Sequence, residues 1–270
     1  MKISVIIPAH NEQDYIGACL ESIKVAQRNN QPLDVEVVVC LNRCTDRTEE
    51  IAKNFGAVIA WEDAKNLSKI RNAGVRASSG DIVVTIDADS RMSPNMLTEV
   101  EKLLKTSKYI GGGTRIKPER MSLGILVSSF VILFYAFRFG LKSAGLFWCF
   151  KRDFEAIGGF NESLVTLEDL DFANRLASYG KSKKLKYGTA WRSHITTSCR
   201  KFDKFGDWYF AKNPMVVRNL FSGKDNTVAN QFYYKNQKNL MCWRRIMIHG
   251  TRRNLPRNYR ESDWTWLSFE

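Results

Sequence analysis

The stretch IVVTIDADS, residues 82–90, decides the fold, because an apolar and β-branched run ends there in two aspartates, Asp87 and Asp89. Such a run is typical of a buried strand in a parallel sheet. Alternate residues of an extended strand point the same way, so the two carboxylates are predicted to lie on one side. A buried strand that ends in paired carboxylates needs a cationic group to balance them. We expect a divalent cation and a diphosphate at this site, with loop capping as the alternative for so common a pattern.

Short apolar runs alternate with helical patterns on both sides of this stretch. The runs lie at 4–9, 35–40, 57–61 and 82–87, and helical spacing follows at 16–23, 48–55 and 67–77. This alternation predicts an α/β fold with a mostly parallel, twisted sheet flanked by helices. Ligands of such sheets bind outside the carboxyl ends of the strands, here at 8–12, 41–46 and 87–89.

The second half of the chain is predicted to contain further elements of the same fold. Residues 109–118 are expected to form a strand, and 145–160 a strand followed by a short helix. The segment 123–137 contains no charge, but about 15 residues fall short of the ~20 that cross a bilayer. We expect a buried helix there. The alternative is a helix that rests on a membrane or opens toward a lipid-linked acceptor.

The positive charge is confined to the end of the chain. The formal net charge is +13, with 41 Lys and Arg against 28 Asp and Glu. Residues 181–270 hold 19 of the basic and 6 of the acidic residues, whereas residues 1–180 hold 22 of each. From Trp208 to Trp266 aromatic and basic residues are mixed, which predicts an anionic membrane surface as partner. Nucleic acid is not expected, since no nucleic-acid-binding motif accompanies the charge.

The cysteines and the first strand favour a cytoplasmic protein. The six cysteines form no C-x-x-C pair, and several lie inside apolar runs, as reduced thiols do. The first strand follows directly on Met1-Lys2, so no signal peptide is expected in this sequence. We therefore predict a cytoplasmic location, with peripheral association at the inner face of the membrane.

Five segments carry a resemblance to a known family. They are VIIPAHNE (5–12), the N-x-C-T-D-x-T turn at 42–48, IRNAGVRASSGDIVVTIDADS (70–90), FWCFKRDFEAIGGF (147–160) and LEDLDFANRL (167–176). Each is weak alone, but their order and spacing are specific. Over roughly residues 2–205 the chain resembles the inverting family-2 glycosyltransferases, which have the GT-A fold. The resemblance implies a metal-dependent transfer of a sugar from a nucleoside-diphosphate sugar to a hydroxyl or phosphate acceptor.

The resemblance also implies a donor site. Around the base and ribose it places Pro8, Ala9, His10 and Glu12, with His10 stacked on the base. Leu41 stands where many relatives carry an acidic residue, so UDP- and GDP-sugars both stay open, and Asn42 is the candidate substitute. Near the diphosphate the resemblance places Arg71, with Lys69 as the alternative, and Asp87, Ala88 and Asp89 around Mg²⁺ or Mn²⁺. Gly111–Arg115 looks like the G-T-R of polyprenyl-phosphate mannose synthases, in which Arg115 would approach the donor and the glycines would allow close backbone approach.

Two late segments are expected to complete the site. An inverting transfer needs a carboxylate across the sugar from the leaving diphosphate, and the resemblance assigns Asp169 as that base and Glu168 to contacts with hydroxyls. Acidic residues also favour a helix N-terminus for electrostatic reasons alone. TAWRSHITTSCRKF (189–202) resembles a segment that closes over the diphosphate, so Arg200 and Lys201 are predicted to neutralise phosphate. His194 is a candidate third metal ligand or a packed or exposed strand residue.

These expectations define three parts of the chain. Residues 1–118 are the predicted nucleotide-sugar-binding half, 119–205 the acceptor and catalytic-base half of the same domain, and 206–270 a basic C-terminal extension. The acceptor is expected to be a glycan, a lipid-linked group or a small molecule. The alternatives are a non-catalytic nucleotide-sugar-binding scaffold and a nucleotidyltransferase. The latter normally has a glycine-rich, basic first loop, which PAHNEQ (8–13) lacks.

Overall fold

The apolar runs of the sequence become the central strands of one twisted sheet. The structure, a computed structural model, describes residues 1–29, 33–138, 140, 144–164 and 167–222. Its strands are β1 (Ile3–Ala9), β2 (Val35–Leu41), β3 (Val58–Trp61), β4 (Ile82–Ile86), β5 (Ser90–Met92), β6 (Tyr109–Pro118), β7 (Ala144–Phe150) and β8 (Lys186–Thr197). The strand order is β3-β2-β1-β4-β7-β6-β8-β5. The strands predicted from the four first runs, and those predicted at 109–118 and 145–160, are confirmed.

The sheet is mostly parallel, as predicted, but it also contains antiparallel pairs. Strands β3, β2, β1 and β4 are parallel to one another, and β6 is parallel to β8. Strand β7 runs antiparallel to β4 and β6, and the short β5 runs antiparallel to β8. The register sets Ala9 beside Leu41 and Ile6 beside Thr85. The loops after β1, β2 and β4 therefore meet at one edge of the sheet.

Helices cover the sheet on both faces. They are α1 (Ile16–Arg28), α2 (Thr48–Asn54), α3 (Leu67–Arg76), α4 (Met96–Lys105), α5 (Leu123–Arg138), α6 (Lys151–Ala156), α7 (Glu168–Ser182), α8 (Arg200–Phe205), α9 (Tyr209–Lys212) and α10 (Pro214–Ser222). Asn66 caps α3, since its side chain accepts a hydrogen bond from the backbone N–H of Lys69 at 3.0 Å. Helices α1, α2 and α3 lie where the sequence predicts them.

Two hydrophobic clusters lie on opposite faces of the sheet. Ile7 and Val84 pack into the cluster beneath α1 and α4, whereas Ile6 and Val83 pack into the cluster with α3 and α7. Neighbouring strand residues point to opposite faces, so a strand covered on both sides must be apolar at every position. This explains why β1 and β4 have continuous apolar runs.

Helix α5 differs from its prediction. The segment 123–137 is helical, but the expectation of a buried helix is wrong for one face, because large apolar residues such as Phe130 and Phe134 are exposed. The inward positions carry small residues instead, including Gly124, Ser128 and Ala136. In the described part of the chain, no helix combines the length and the apolar character needed to cross a membrane.

The described residues belong to one compact unit, Met1–Ala229. Strand β6 pairs with β7 and β8, so the predicted halves 1–118 and 119–205 share one sheet. Five cysteines of the described part are free thiols, among them Cys19, Cys40 and Cys149 in the core. Of the predicted extension 206–270, α9 and α10 are described. Residues 223–270, including Cys242 and most of the aromatic and basic tail, lie outside the described residues.

Candidate functional site

Arg71 connects Asp87 with the adjacent pair Glu168 and Asp169, which lies about 80 residues later in the sequence. One terminal guanidinium nitrogen donates to Asp87 Oδ1 at 3.0 Å, and the other donates to Asp169 Oδ1 at 2.8 Å and Glu168 Oε1 at 3.2 Å. The guanidinium is buried and lies 5.1 Å from the centre of the Phe160 ring. Burial opposes its charge, but Asp169, Asp87 and Glu168 outweigh that effect and raise the pKa of Arg71. Of the two basic residues predicted near the donor on α3, Arg71 therefore has the central place.

Glu168 and Asp169 begin α7 beside Arg71, with Glu168 buried and the Asp169 side chain 35% exposed. Leu167 precedes them in a left-handed conformation (φ 64°), which directs the first turn of the helix toward Arg71. Burial and, to a smaller extent, the charge of Asp169 raise the pKa of Glu168, Arg71 opposes them, and the net value is about 7. Burial likewise raises the pKa of Asp169, with Arg71 acting in the opposite direction. The first turn of α7 thus holds carboxyl groups that retain protons more readily than exposed ones.

The G-G-F turn before α7 is fixed to α3 beside Arg71. Gly158 and Gly159 have φ values of 76° and 65°, which favour glycine. Asn72 Nδ2 donates to the carbonyl of Phe160 and Asn72 Oδ1 accepts from its N–H, both at 2.9 Å. A Cβ at Gly159 would lie 2.7 Å from Asn72 Oδ1. Asn72 is thus a site residue that sequence reasoning missed, although it adjoins Arg71 in the quoted motif.

Asp87 and Asp89 follow β4, as predicted, but each contacts a different arginine. Asp87 pairs with Arg71 and keeps 46% of its side chain exposed. Asp89 Oδ2 accepts from Ser198 Oγ and from Arg200 Nε, both at 3.0 Å. The N–H of Ser198 also donates to the carbonyl of Asp89 at 3.1 Å. Ser198, a second residue that the sequence did not single out, therefore attaches the segment after β8 to the metal-candidate loop.

Arg200 links that segment to the loop after β1. One terminal nitrogen donates to both carboxylate oxygens of Glu12, at 2.8 and 3.0 Å, and its guanidinium lies 5.3 Å from the centre of the Tyr15 ring. Burial raises the pKa of Glu12, whereas Arg200 lowers it. Burial opposes the charge of Arg200, but Asp89 and Glu12 raise its pKa. Burial lowers the pKa of the neighbouring Lys201, partly offset by Asp89 and Asp87.

The loops after β1 and β2 are joined by Asn42. His10 Nδ1 contacts the carbonyl of Asn42, while Asn42 Nδ2 donates to the carbonyls of Glu62 and, at 2.9 Å, Ala64. The side-chain oxygen of Asn42 accepts from Arg43 at 3.0 Å. The Asn42 side chain therefore fixes the loop after β3, and its contact with a base stays a prediction. Pro8, Ala9 and Ala88 lie buried at the same edge.

The structure does not bring Arg115 and His194 to this cluster. Arg115 on β6 pairs with His194 on β8. The two strands come next to the Asp89 loop three residues later, at the Pro118–Thr197 pair, because Thr197 also pairs with Ser90. Three strand residues span about 10 Å. Arg115 Nε instead donates to the carbonyl of Ser193 at 3.4 Å. Across the described ranges, no three His, Cys, Asp or Glu side chains are grouped so that they could hold a metal ion.

Gly111–Gly113 allow β6 to pack closely against its neighbouring strands. A Cβ at Gly112 would collide with the carbonyl of Gly188 on β8 and approach the Trp148 ring to 2.6 Å. Trp148 in turn donates its ring N–H to the carbonyl of Gly113 at 2.9 Å. The close approach that these glycines permit is therefore between strands, and the expectation of close approach to a ligand has no support from this packing.

Known proteins share parts of this sequence. The model of the family described as Glycosyl transferase family 2 matches residues 4–150. Dolichol-phosphate mannosyltransferase of Pyrococcus furiosus is 32% identical over 120 residues, which cover 43% of this chain and 33% of that protein. Glycosyltransferase GlyA of Streptococcus pneumoniae is 36% identical over 93 residues, which cover 33% of this chain and 13% of that protein. The matches thus span a third or less of the length of these relatives.

Solved structures share the fold at low sequence identity. TarS 1-349 of S. aureus in complex with UDP aligns with 86% of this chain and 70% of its own, with a TM-score of 0.54 and 16% identity. Glucosyl-3-phosphoglycerate synthase from Mycobacterium tuberculosis, crystallised with Mn²⁺, UDP-glucose and phosphoglyceric acid, aligns with 84% of this chain and 81% of its own, with a TM-score of 0.52 and 18% identity. The fold class predicted from the sequence is confirmed by these neighbours.

Proposed function

Because the chain belongs to glycosyl transferase family 2, we propose that it transfers a sugar, with inversion, from a nucleoside-diphosphate sugar to a hydroxyl or phosphate acceptor. The observation that carries this proposal is the position of Arg71 between Asp87 and Asp169. One buried guanidinium binds Asp87 of the candidate diphosphate site through one terminal nitrogen and the candidate base Asp169 through the other. An inverting displacement needs that separation of base and leaving group.

The excess of carboxylates at the candidate site fits a divalent cation. Five carboxylates (Glu12, Asp87, Asp89, Glu168 and Asp169) face three cationic groups (Arg71, Arg200 and Lys201). Asp87 and Asp89 offer the hard oxygen donors that Mg²⁺ and Mn²⁺ prefer, and partial exposure of Asp87 leaves room for phosphate oxygens and water. We assign Asp87 and Asp89 to the cation. When bound there, it would stabilise the negative charge that develops on the departing diphosphate.

The protein groups supply the remaining chemistry. As the acceptor oxygen forms its bond to the anomeric carbon, its proton passes to the Asp169 carboxylate, and the bond from that carbon to the diphosphate oxygen breaks. A raised pKa makes Asp169 a stronger base than an exposed aspartate. Arg200 and Lys201 neutralise the leaving group, with the planar Arg200 suited to two phosphate oxygens. Glu168, largely buried beside Asp169, contacts sugar or acceptor hydroxyls.

The choice of substrates rests on the relatives. TarS in complex with UDP supports a uridine donor, and the mannosyltransferase resemblance keeps a GDP-sugar open. The buried apolar Leu41 stands where an acidic residue would read the base. The acceptor is a glycan, a lipid-linked group or a small molecule.

The conservative variant Asp169→Asn tests the base. Asparagine keeps the shape and a hydrogen bond to Arg71 but cannot take the proton, so transfer should fall by roughly 100-fold or more. Donor binding should be nearly unchanged. Isothermal titration with UDP- and GDP-sugars, with and without Mn²⁺, measures binding, and release of the nucleoside diphosphate in the presence of acceptor measures transfer.

Asp171→Asn is the matched control. Asp171 lies in the same first turn of α7 but pairs with Arg175 at 2.7 Å, outside the Arg71 cluster. Its transfer rate should stay within a few-fold of the unmodified protein. Unchanged turnover in Asp169→Asn would remove Asp169 from the mechanism. If no donor binds in a metal-dependent way, the protein is a scaffold, and a product that retains the anomeric configuration would refute inversion.

A further inference from the structure

The outward face of α5 is apolar along its whole length. Its large side chains there are between 41% and 69% exposed, and they are Leu123, Leu126, Phe130, Leu133, Phe134 and Phe137. At 100° per residue these six positions fall within an arc of about 100° on the helix surface. No charged residue interrupts the helix before Arg138. A contiguous exposed surface of this kind marks an interaction site.

The largest apolar side chains of α5 lie mainly on its outward face. Its fully buried positions are Gly124, Ile125, Ser128 and Ala136, and Ile132 is half-buried on the same side. A Cβ at Gly124 would lie 2.8 Å from Asp207 Cβ, which shows how closely the helix is seated on the loop before α9. Ser128 Oγ adds a hydrogen bond to the carbonyl of Asp207 at 2.7 Å. Gly124 and Ser128 therefore make the close contacts with the loop before α9, and most of the large apolar side chains are turned outward.

Neighbouring residues extend the apolar face. Helices α9 and α10 pack against α5. Exposed methionines stand at both sides, Met121 before α5 and Met215 on α10, and Trp208 is partly exposed beside the start of α5. The surface formed by α5, Met121, Met215 and Trp208 is called the α5 face below. Its rim contains the amphipathic aromatic that favours membrane interfaces.

Positive charge frames the α5 face. The segments 117–138 and 200–222 contain eight Lys and Arg but three Asp and Glu. Each of these three acids is already paired with an arginine: Glu119 with Arg91, and Asp203 and Asp207 with Arg120. Exposed Arg138, Lys212 and Arg218 lie on α5, α9 and α10, which pack together, and exposed Lys117 lies on β6 in the segment that leads to α5. An apolar face with a basic rim complements the headgroups of an anionic bilayer.

We infer that the α5 face is a docking surface for an anionic lipid bilayer, with α5 lying in the plane of the interface. A helix of 16 residues is roughly 24 Å long and cannot span the hydrocarbon core, but it can lie along its boundary. A second copy of the chain is disfavoured as the occupant, because two basic rims would repel each other. The inference concerns an interaction surface and does not depend on the transfer reaction.

The α5 face lies beside the segment that carries Arg200. The N–H of Glu119 donates to the carbonyl of Thr197 at 2.9 Å, and the Cys199 thiol contacts the carbonyl of Arg120 at 3.6 Å. These contacts join the start of α5 to the stretch that leads from Thr197 to the candidate diphosphate site. A bilayer on the α5 face would therefore lie next to the stretch that carries Ser198 and Arg200 into the candidate site.

Vesicle sedimentation with the full chain tests the inference. The probes are vesicles of equal parts phosphatidylglycerol and phosphatidylcholine, and vesicles of phosphatidylcholine alone. The double variant F134S/F137S removes two exposed rings, and its partition onto anionic vesicles should fall by roughly tenfold or more. The control is W61S/W191S, which removes two similarly exposed aromatic rings on the sheet and should leave the partition unchanged.

The outcomes separate the possible occupants. Loss of binding in F134S/F137S alone, with thermal unfolding unchanged, supports the inference. Binding by both double variants at the level of the unmodified protein would place membrane attachment outside the α5 face and overturn the inference. Absence of any binding by the unmodified protein at low salt would also overturn it. So would sedimentation as a dimer that F134S/F137S converts to a monomer, since the α5 face would then belong to a second copy.

Discussion

At the scale of single residues, Arg71 is the group on which the candidate site depends. It is bound by carboxylates from β4 and α7 and leaves its Nε without a hydrogen-bond partner in the described structure. A buried charge with this many partners is costly to leave uncompensated. This Nε–H is a buried donor without a partner among the described residues. Arg71 therefore fixes the relative positions of Asp87 and Asp169.

Replacing Arg71 should separate its structural and functional roles. Arg71→Lys retains the charge, but a point charge on a flexible stem cannot hold three carboxylates, so turnover should fall by roughly tenfold or more. Arg71→Met leaves Glu168 buried without a partner and should lower the free energy of unfolding by about 3 kcal/mol or more. Turnover and chemical denaturation measure the two effects. Arg47→Lys, on the exposed pair with Glu50, is the control and should change neither; equal turnover in Arg71→Lys would argue against the positioning role.

Two shifted pKa values predict the pH dependence of transfer. Asp169 must be ionised to accept a proton, and its pKa is raised, so activity should fall as pH decreases through a value above that of an ordinary aspartate. Lys201 must be charged to neutralise phosphate, and its pKa is lowered, so activity should fall as pH rises through a value below that of an ordinary lysine. A pH profile of kcat/KM measures both limits. Lys201→Arg should move the alkaline limit upward, because Arg stays protonated; an unmoved limit would exclude Lys201 as its source.

At the scale of elements, the segment after β8 joins parts of the sheet that are distant in the sequence. Ser198 and Arg200 contact the loops after β4 and β1, and the Arg200–Glu12 pair joins residues 188 positions apart. The start of α8 thus crosses the open edge of the sheet. Arg200 thus balances the charge of Asp89, a candidate metal ligand, and of Glu12, which is predicted to lie near the nucleobase and ribose.

Arg200→Gln should weaken binding of the diphosphate more than it weakens the fold. Arg200 is 40% exposed, so the loss of its surface-accessible pairs should have a small effect on unfolding. Affinity for UDP or GDP with Mn²⁺ should fall by roughly tenfold, since a charge-assisted contact to phosphate is lost. Titration calorimetry measures this, and Lys105→Gln, which removes a surface lysine paired with Glu101 on α4, is the control. Equal affinities for the two variants would contradict a role for Arg200 at the diphosphate.

A second element-scale feature lies at the opposite edge of the sheet. Glu36 on β2 accepts hydrogen bonds from Ser4 on β1 and from Ser79 before β4, and pairs with Lys2 at 2.7 Å. Burial alone would raise the pKa of Glu36, but these donors lower it to about 2. The carboxylate therefore joins three neighbouring strands away from the candidate site.

Glu36→Gln tests this connection. The folded-state pKa is depressed, so Glu36 stabilises the protein above its unfolded pKa of about 4.5 and loses that effect as pH falls toward 2. The shift corresponds to about 3 kcal/mol at neutral pH. Denaturant unfolding at pH 7 should show most of that loss, and the difference from the unmodified protein should shrink as the pH is lowered. Glu50→Gln at an exposed pair should have little effect; a difference that does not depend on pH would refute the role of the charge.

At the scale of the whole molecule, the sheet depends on close contact between β6 and its neighbours. Gly112 lies against Gly188 of β8 and against Trp148 of β7, a fully buried side chain. Strand β6 pairs with both strands. Through β7 and β6, this packing joins strands β1 to β4 to β8, which leads to Ser198 and Arg200.

Gly112→Ala should destabilise the fold by about 1–3 kcal/mol, because the added methyl group would collide with the carbonyl of Gly188 and the structure must shift. Gly17→Ala in α1 is the control: the nearest atom to its added Cβ is 3.9 Å away, and alanine should stabilise the helix by up to ~1 kcal/mol. Denaturant unfolding of the two variants measures both effects. A neutral Gly112→Ala would show that β6 and β8 can separate without cost.

The sequence by itself determined the arrangement of β1 to β4 and the helices α1 to α3 between them. Continuous apolar runs such as Ile82–Ile86 can only be covered on both faces, and paired acids after them locate the open edge of the sheet. These signals are local, because strand periodicity and turn residues are set by neighbours in the chain. Sequence motifs also selected Arg71, Asp169 and Arg200. They could not specify which of these residues contact one another.

Only the tertiary structure decided the pairings. Arg71 meets Asp169 across 98 positions, and Arg200 meets Glu12 across 188, because the sheet order brings α3, α7 and α8 to one edge. The same order places Arg115 and His194 along β6 and β8, away from the carboxylates with which they were grouped. It also turns the large residues of α5 outward. Burial and side-chain contacts depend on packing between distant segments, and no local pattern in the chain encodes that packing.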